Sequence, residues 1–348
     1  MKVVFFTYPS AFQNIGGGEI QLLKTREYLE KHGLQIDLFD LWRTKIEAYD
    51  ILHVFSSVKE CLPLIQVARS RNVKVVTNSG LWSDFHRAVF TDGGWGRKTD
   101  LLLRHGLKVA CPVFPSSRRQ VLLSSDLVCP NSEMEKNQIA RLFAVPRRKI
   151  KVVYNGVDKS FLEADPSYYH SLYGKAPFVL SVGRIEPRKN QLNLIKAVKR
   201  LGDARLVLIG DPVSGHEKYF RECQSAGSGF TKFLPAVGHS DPLLKSAYGA
   251  CDLFVLQGWF ETPGLAAMEA ALAGTKVLVT EGGSTKEYFK NFVDYIRPSS
   301  TKDITDKIKK NLAKKREETL KNHVLMHFTW DTVTRNLLDY YRGLKEAA

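Results

Sequence analysis

Asp252–Gly274 reads DLFVLQGWFETPGLAAMEAALAG, and this stretch decides how the chain folds. It opens with an apolar run of strand length. It passes through Gly258, Thr262, Pro263 and Gly264, then closes with a run of Ala, Leu and Met that stops at Gly274. A short apolar run bounded by turn residues reads as a buried strand. A run with Pro near its start and Gly just past its end reads as a helix. Strand, loop, helix is the repeating half of a parallel α/β sheet. Its two glutamates then differ in place: Glu261 stands in the loop beside a helix N-terminus and Glu269 lies inside the helix. Both can face one cleft, although lone carboxylates are surface residues by default.

Outward from this stretch the same pattern recurs. On the C-terminal side of the chain "FVLSVGR", "RLVLIGD", "KVLVTEG" and "VDYIRP" are further strand candidates, separated by helix-like stretches. The N-terminal side offers "KVVFFTY", "LQIDLFDL", "DILHVFSS", "VKVVTNSG", "DLVCPNS" and "IKVVYNG". Between the two sets a polar, tyrosine-containing connector, "VDKSFLEADPSYYHSLYGKAP", interrupts the alternation. The reading is two Rossmann-like α/β domains, over 1–160 and 161–329. The last segment, "FTWDTVTRNLLDYYRGL", is an amphipathic helix with Thr329 as N-cap. Its stripe of Trp330, Val333, Leu337, Leu338 and Tyr341 comes after the second sheet is complete and must be buried elsewhere.

Composition narrows the class. With 348 residues, 44% apolar and 25% charged, the chain is long enough for two domains and unlike a disordered one. It has no apolar run of membrane-spanning length, and "MKVVFFTYPS" is too strand-like for a signal peptide. The five cysteines are scattered without a CxxC pair, which suits reduced thiols in the cytoplasm. Net charge is +15, and 85–151 alone carries 13 basic against five acidic residues. Such a region takes an anionic partner or keeps the protein soluble. Within "RKTDLLLRHGLK", Leu101, Leu102, Leu103 and Leu107 cluster among Arg97, Lys98, Arg104 and Lys108. Two readings fit: a core-facing helix with a solvated basic edge, or an interfacial helix on an anionic membrane. No basic-aromatic ladder of a nucleic-acid binder appears.

Three motifs bear on chemistry. "GGGE", Gly16–Glu19, lies between the first strand and the first helix, where backbone N–H groups approach a phosphate or sugar, or simply turn. It is not the GxGxxG of a dinucleotide site. "SVGRIEPRKNQ" places Gly183, Arg184 and Lys189 between a strand end and a helix start, with Pro187 suited to a first helical turn. Two cations there suit a pyrophosphate, although basic residues at helix starts are also ordinary. On the same sheet edge, Glu261 and Glu269 complete a ligand constellation. There is no HExxH, no Cys/His metal cluster, no Asp-x-Asp, no nucleophile elbow and no Walker loop. His53, in "LHVF", reads as a packed strand histidine.

The stretches "FVLSVGRIEPRKNQLNLIKA", "GWFETPGLAAMEAALAGTKVLVTEGGSTKEYF", "VVYNGVD" and "FTWDTV" together resemble the glycosyltransferases of family 4. The resemblance covers nearly the whole chain. It implies the GT-B fold, two facing Rossmann-like domains with a C-terminal helix (330–348) crossing back to the first. It implies that Arg184 and Lys189 hold the donor pyrophosphate beside Gly183. Glu261 would contact the donor sugar, Glu269 the ribose, and the amides of Gly264 and Leu265 the phosphate and sugar. Gly16 and Gly17 match the glycine loop that closes over the donor. The implied reaction is metal-independent, cofactor-free and retaining: a hexose moves from a UDP- or GDP-sugar to a hydroxyl of a sugar or lipid-linked acceptor in glycan or polysaccharide synthesis. Arg184, Lys189 and Glu261 are the implied catalytic residues, with the leaving phosphate taking the acceptor proton. The chain departs from the family at Ser79, where many members carry a histidine, and His86 follows shortly after. The alternatives are a nucleotide-sugar epimerase of the same fold and a non-catalytic binding subunit.

Overall fold

The computed structural model describes residues 1–13, 16–81, 85 and 95–346. These residues form two compact units, one within 1–85, 95–156 and 328–346, the other within 157–327.

The first unit is built on β1 (Lys2–Phe6), β2 (Gln35–Leu38), β3 (Ile51–Phe55), β4 (Lys74–Asn78) and β5 (Leu127–Cys129). Its helices in chain order are α1 (Gly17–Lys31), α2 (Leu62–Ser70), α3 (Trp95–Ala110), α4 (Ser117–Ser124) and α5 (Glu133–Phe143). The strands are parallel and lie in the order β2-β1-β3-β4-β5. Strand side chains alternate between faces. Val3 and Phe5 therefore join Leu22 and Leu29 of α1 on one face. Val4 and Phe6 meet Ile65 and Ala68 of α2 on the other. With both faces covered, β1 reads as an unbroken apolar run.

The second unit contains β6 (Val179–Val182), β7 (Leu206–Ile209), β8 (Thr231–Leu234), β9 (Leu253–Leu256), β10 (Val277–Thr280) and β11 (Asp294–Ile296). Its helices are α6 (Ser167–Tyr173), α7 (Gln191–Lys199), α8 (Glu217–Ala226), α9 (Pro242–Ala250), α10 (Leu265–Leu272), α11 (Thr285–Phe289), α12 (Thr301–Leu312) and α13 (Thr319–His327). The parallel sheet runs β11-β10-β9-β6-β7-β8. Chain order therefore reverses between β6 and β9, the topological switch point where open α/β sheets hold ligands.

The final helix, α14 (Trp330–Glu346), packs in the first unit against α1. Thr329 Oγ1 accepts the amide of Thr332 at 3.4 Å, an N-cap contact. Leu337, Leu338 and Tyr341 join the core that contains Val3 and Phe5. Tyr341 Oη pairs with Nδ1 of His53 on β3, and His53 Nε2 with Asn78 Oδ1 at 3.1 Å. Burial raises the Tyr341 pKa far above normal and drops that of His53 to about 3. The phenol therefore donates to a neutral imidazole, whose other nitrogen donates to Asn78. His53 is a packed histidine, as its strand context indicates. The chain leaves the first unit through Gly156, where a Cβ would lie 2.6 Å from the Cα of Trp330. Glycine there lets the outgoing and returning segments touch.

Two expectations need correction, and one strand comes in addition to those expected. "IKVVYNG" makes no strand. It forms one bridge, Ile150 to Val128, with the Lys151 and Val153 amides donating to Val128 O and Pro130 O. Pro130 has no N–H to return, so no ladder extends. β8 was not read from the sequence; it is an edge strand whose burial barely alternates. Of the leucine cluster of α3 one member is buried: Leu101 is 6% exposed, whereas Leu102, Leu103 and Leu107 are 44%, 74% and 43% exposed. Among the described residues no helix is long and apolar enough to cross a membrane.

Candidate functional site

At the switch point the loops after β6 and β9 meet. Beyond β6, Gly183 (φ 146°) leads to Arg184, and Pro187–Lys189 forms a 3-10 turn. The helix expected from Pro187 instead begins at Gln191, because Asn190 adopts the left-handed conformation at φ 59° and breaks the turn. Its side-chain amide donates to Gln257 O at 3.2 Å and to Pro298 O at 2.8 Å. Gln257 returns a bond from Nε2 to Lys189 O at 2.9 Å and accepts from Ser181 Oγ at 3.0 Å. Two buried amides thus stitch one loop to the other and fix where Lys189 stands.

Lys189 Nζ donates to both oxygens of Glu261, at 2.8 and 2.9 Å. The lysine side chain is 19% exposed and that of Glu261 5%. Burial lowers the lysine pKa, and the Glu261 carboxylate opposes that shift. Glu261 is held from below by the turn after β10. Its amide donates to Gly282 O at 3.1 Å, and its carbonyl accepts from Ser284 N at 3.0 Å. Gly283, at φ 96°, lies so close that a Cβ would stand 2.0 Å from Glu261 O. Only glycine fits both that conformation and that distance. The turn Glu281–Ser284 thus fixes the backbone of Glu261.

Glu269 is buried in α10. Tyr248 Oη, from α9, donates to its Oε2 at 2.7 Å, and His239 Nδ1 lies 2.9 Å from its Oε1. Burial first, and the adjacent carboxylate second, push the tyrosine pKa well above normal, so the phenol keeps its proton and donates. Neither Tyr248 nor His239 was picked out from the sequence. Tyr248 sits in an apolar helical run, and no spacing rule ties it to Glu269.

Of the other expected residues, Arg184 is 52% exposed, with Nη2 3.5 Å from Glu186 Oε1. Arg188, not singled out beforehand, is the more enclosed cation, 2.9 Å from the same oxygen. Gly264, at φ 90°, caps α10, so the helix starts at Leu265 rather than at Pro263. The first-turn amide of Leu265 has no intrahelical acceptor. The structure thus brings Lys189 and Glu261 into direct contact. Arg184 pairs instead with Glu186, and Glu269 with Tyr248 and His239.

Gly16 and Gly17 lie in the first unit. Gly16 caps α1, which begins at Gly17, and the Gly16 amide donates to Glu19 Oε2 at 2.8 Å. Ser79 follows β4, and its hydroxyl donates to buried Glu135 at 2.6 Å. That carboxyl also accepts the amides of Leu81 (2.6 Å) and Asn131 (2.9 Å), while burial raises its pKa. Ser79 thus anchors the end of β4. His86 lies outside the described residues. Among the described residues no three His, Cys, Asp or Glu side chains converge as a metal site.

Two doubly wound α/β units, one bearing a paired lysine and glutamate at its switch point, define a GT-B protein. The model of "Glycosyl transferases group 1" matches residues 169–323, and that of "Glycosyltransferase Family 4" matches 40–161. Each model matches less than half of the chain, and together they make it similar over both units to group 1, family 4 glycosyltransferases. A D-inositol 3-phosphate glycosyltransferase of Mycobacterium sp. (strain JLS) is 30% identical over 181 residues, 49% of this chain and 41% of that protein. The match thus spans less than half the length of that relative. An uncharacterised glycosyltransferase of Methanocaldococcus jannaschii is 25% identical over 231 residues, 61% of this chain and 58% of the relative. In fold, the chain is similar to sucrose-phosphate synthase from Thermosynechococcus elongatus, with TM-score 0.78, 17% identity and coverage of 100% and 99%. It is also similar to Anabaena HepE in complex with UDP, with TM-score 0.76, 17% identity and coverage of 99% and 100%.

Proposed function

We propose that the protein is a retaining, metal-independent glycosyltransferase of the cytoplasm that moves a hexose from a nucleotide diphosphate sugar to an acceptor hydroxyl. The observation that carries this reading is the Lys189–Glu261 pair at the switch point, 2.8 Å apart, beside the N-terminus of α10. Departure of a nucleoside diphosphate builds negative charge, and fixed cations and a helix N-terminus stabilise it. In this reading Lys189 and Arg184 meet the diphosphate, with Gly183, Gly264 and Leu265 lining its path. Glu261 takes the sugar hydroxyls and Glu269 the ribose. Anabaena HepE, of similar fold, has been crystallised with UDP and with UDP-glucose, which supports a UDP-sugar as donor and leaves a GDP-sugar as the competitor. The acceptor is a sugar or lipid-linked saccharide, and the protein meets an anionic membrane peripherally.

Calorimetric titration with UDP and GDP tests the donor site. Glu269→Ala should weaken nucleotide binding, whereas Glu261→Ala should harm turnover more than binding of the bare nucleotide. Unchanged affinity in the Glu269 variant removes the ribose assignment. Nucleotide release that needs no acceptor would point to hydrolysis or epimerisation. Activity should survive EDTA, and loss reversed by manganese or magnesium would contradict the metal-free mechanism.

A further inference from the structure

Helix α3 is amphipathic in the reverse sense. Lys98, Leu101, His105 and Lys108, spaced by three and four residues, form its buried or half-buried side. Lys108 Nζ lies 5.4 Å from the centre of the Phe143 ring on α5. Leu103 and Leu107 lie on the opposite side and Leu102 on its flank, all three exposed, and the exposed Val113 and Phe114 follow just past the helix end. A helix that serves the core turns its apolar stripe inward. Scattered single leucines on a surface are ordinary, but a contiguous group is not. Exposed Arg97 and Arg104 border the stripe. Arg104 meets Asp100 at 2.9 Å in an exposed pair that leaves its charge largely available. Over 95–119 there are six Lys or Arg residues and one acid, Asp100.

We propose that the outward face of α3, continued by Val113 and Phe114, docks on an anionic lipid surface. An interfacial helix needs an apolar face to enter the headgroup boundary and cations at its margin to meet the phosphates. Both are present here on 16 consecutive residues. The charge complementarity selects an anionic bilayer over a neutral one. The inference rests on the peripheral-membrane part of the proposed function and is separate from the donor chemistry, because α3 belongs to the first unit and the Lys189–Glu261 pair to the second.

Flotation of the full chain with phosphatidylcholine vesicles, with and without phosphatidylserine, decides the matter. Binding should require phosphatidylserine and weaken as salt rises. The variant Leu103→Ser/Leu107→Ser changes only exposed positions, and it should keep its circular dichroism and melting temperature but lose vesicle binding. Arg97→Ser/Arg104→Ser should bind about thirtyfold more weakly, about fivefold for each charge removed. Equal binding to both vesicle types, no binding at low salt, or undiminished binding by the leucine variant would overturn the proposal. So would a dimer in sedimentation velocity that Leu103→Ser dissociates without any vesicle binding, since a second copy would then occupy the face. UDP and GDP titrations on the same variants keep the two readings apart. Absent nucleotide binding in every protein would remove the donor reading and leave the vesicle result standing.

Discussion

Replacing Lys189 by Met removes the positive member of the switch-point pair while keeping most of the side-chain volume. Glu261 would then stand as a carboxylate 5% exposed, without the two bonds at 2.8 and 2.9 Å that Lys189 supplies. Breaking a buried pair from one side costs about 3–5 kcal/mol. The 19% exposure of Lys189 places this case at the low end, about 3 kcal/mol. For a unit of this size that corresponds to a fall of roughly 6–12 °C in its melting temperature. In Lys189→Met/Glu261→Gln no charge is left stranded, and roughly 2 kcal/mol should return as coupling between the sites. Scanning calorimetry is the assay, since two units can melt separately and only the transition of the second should move. UDP or GDP titration on the same proteins reports whether the lysine also meets the diphosphate. A loss below about 0.5 kcal/mol, as for an exposed pair, or strict additivity in the double variant, would refute the reasoning.

Tyr248→Phe deletes the 2.7 Å bond to Glu269; a bond to a charged group is worth about 1.5–3 kcal/mol, and chemical denaturation should show a loss in that range together with weaker nucleotide binding. Gly283→Ala forces a Cβ to within 2.0 Å of Glu261 O, so turnover should fall more than UDP or GDP affinity, and a variant with normal turnover would show that the turn does not seat Glu261. His53 gives a pH signature: it stays neutral in the fold down to about pH 3, whereas the unfolded chain takes up its proton near the ordinary value of about 6.5. The unfolded state therefore binds more protons between those limits, and stability present above the higher value is lost as pH falls, by about 1.4 kcal/mol per pH unit. Denaturation at several pH values should show a shallower slope for His53→Gln than for the parent, and identical slopes would contradict the buried neutral histidine.

The alternation of strands and helices was legible because parallel strands buried on both faces are short apolar runs, and Val3–Phe6 or Leu253–Leu256 look like nothing else. β8 escaped because an edge strand buries little, and Lys232 and Phe233 carry no pattern. Position alone made Lys189 and Glu261 candidates, each following a recognisable strand, and the resemblance supplied their implied roles. Their contact was not, because it depends on Asn190 adopting a left-handed conformation and on amide bonds spanning more than sixty residues. Tyr248 and His239 were invisible for the same reason: their tie to Glu269 exists only once α9 and α10 are packed. The leucines of α3 misled in one of their two readings, since helical spacing says that a stripe exists but not which way it turns.

The return of α14 has a consequence for the order in which the protein is made. The core beneath β1 includes Leu337, Leu338 and Tyr341, synthesised after every residue of the second unit. As the chain emerges, the first sheet has its strands but lacks that cover, and His53 lacks the phenol of Tyr341. The second unit, continuous over 157–327, has all its residues before then. Domains usually complete in the order of synthesis; here the second can close first, while the groove on the first stays open until the residues from Trp330 onward leave the ribosome. A chain truncated before Trp330 and released from the ribosome would therefore hold a folded second unit and an unfinished first one, with the apolar underside of β1 and α1 open to chaperones.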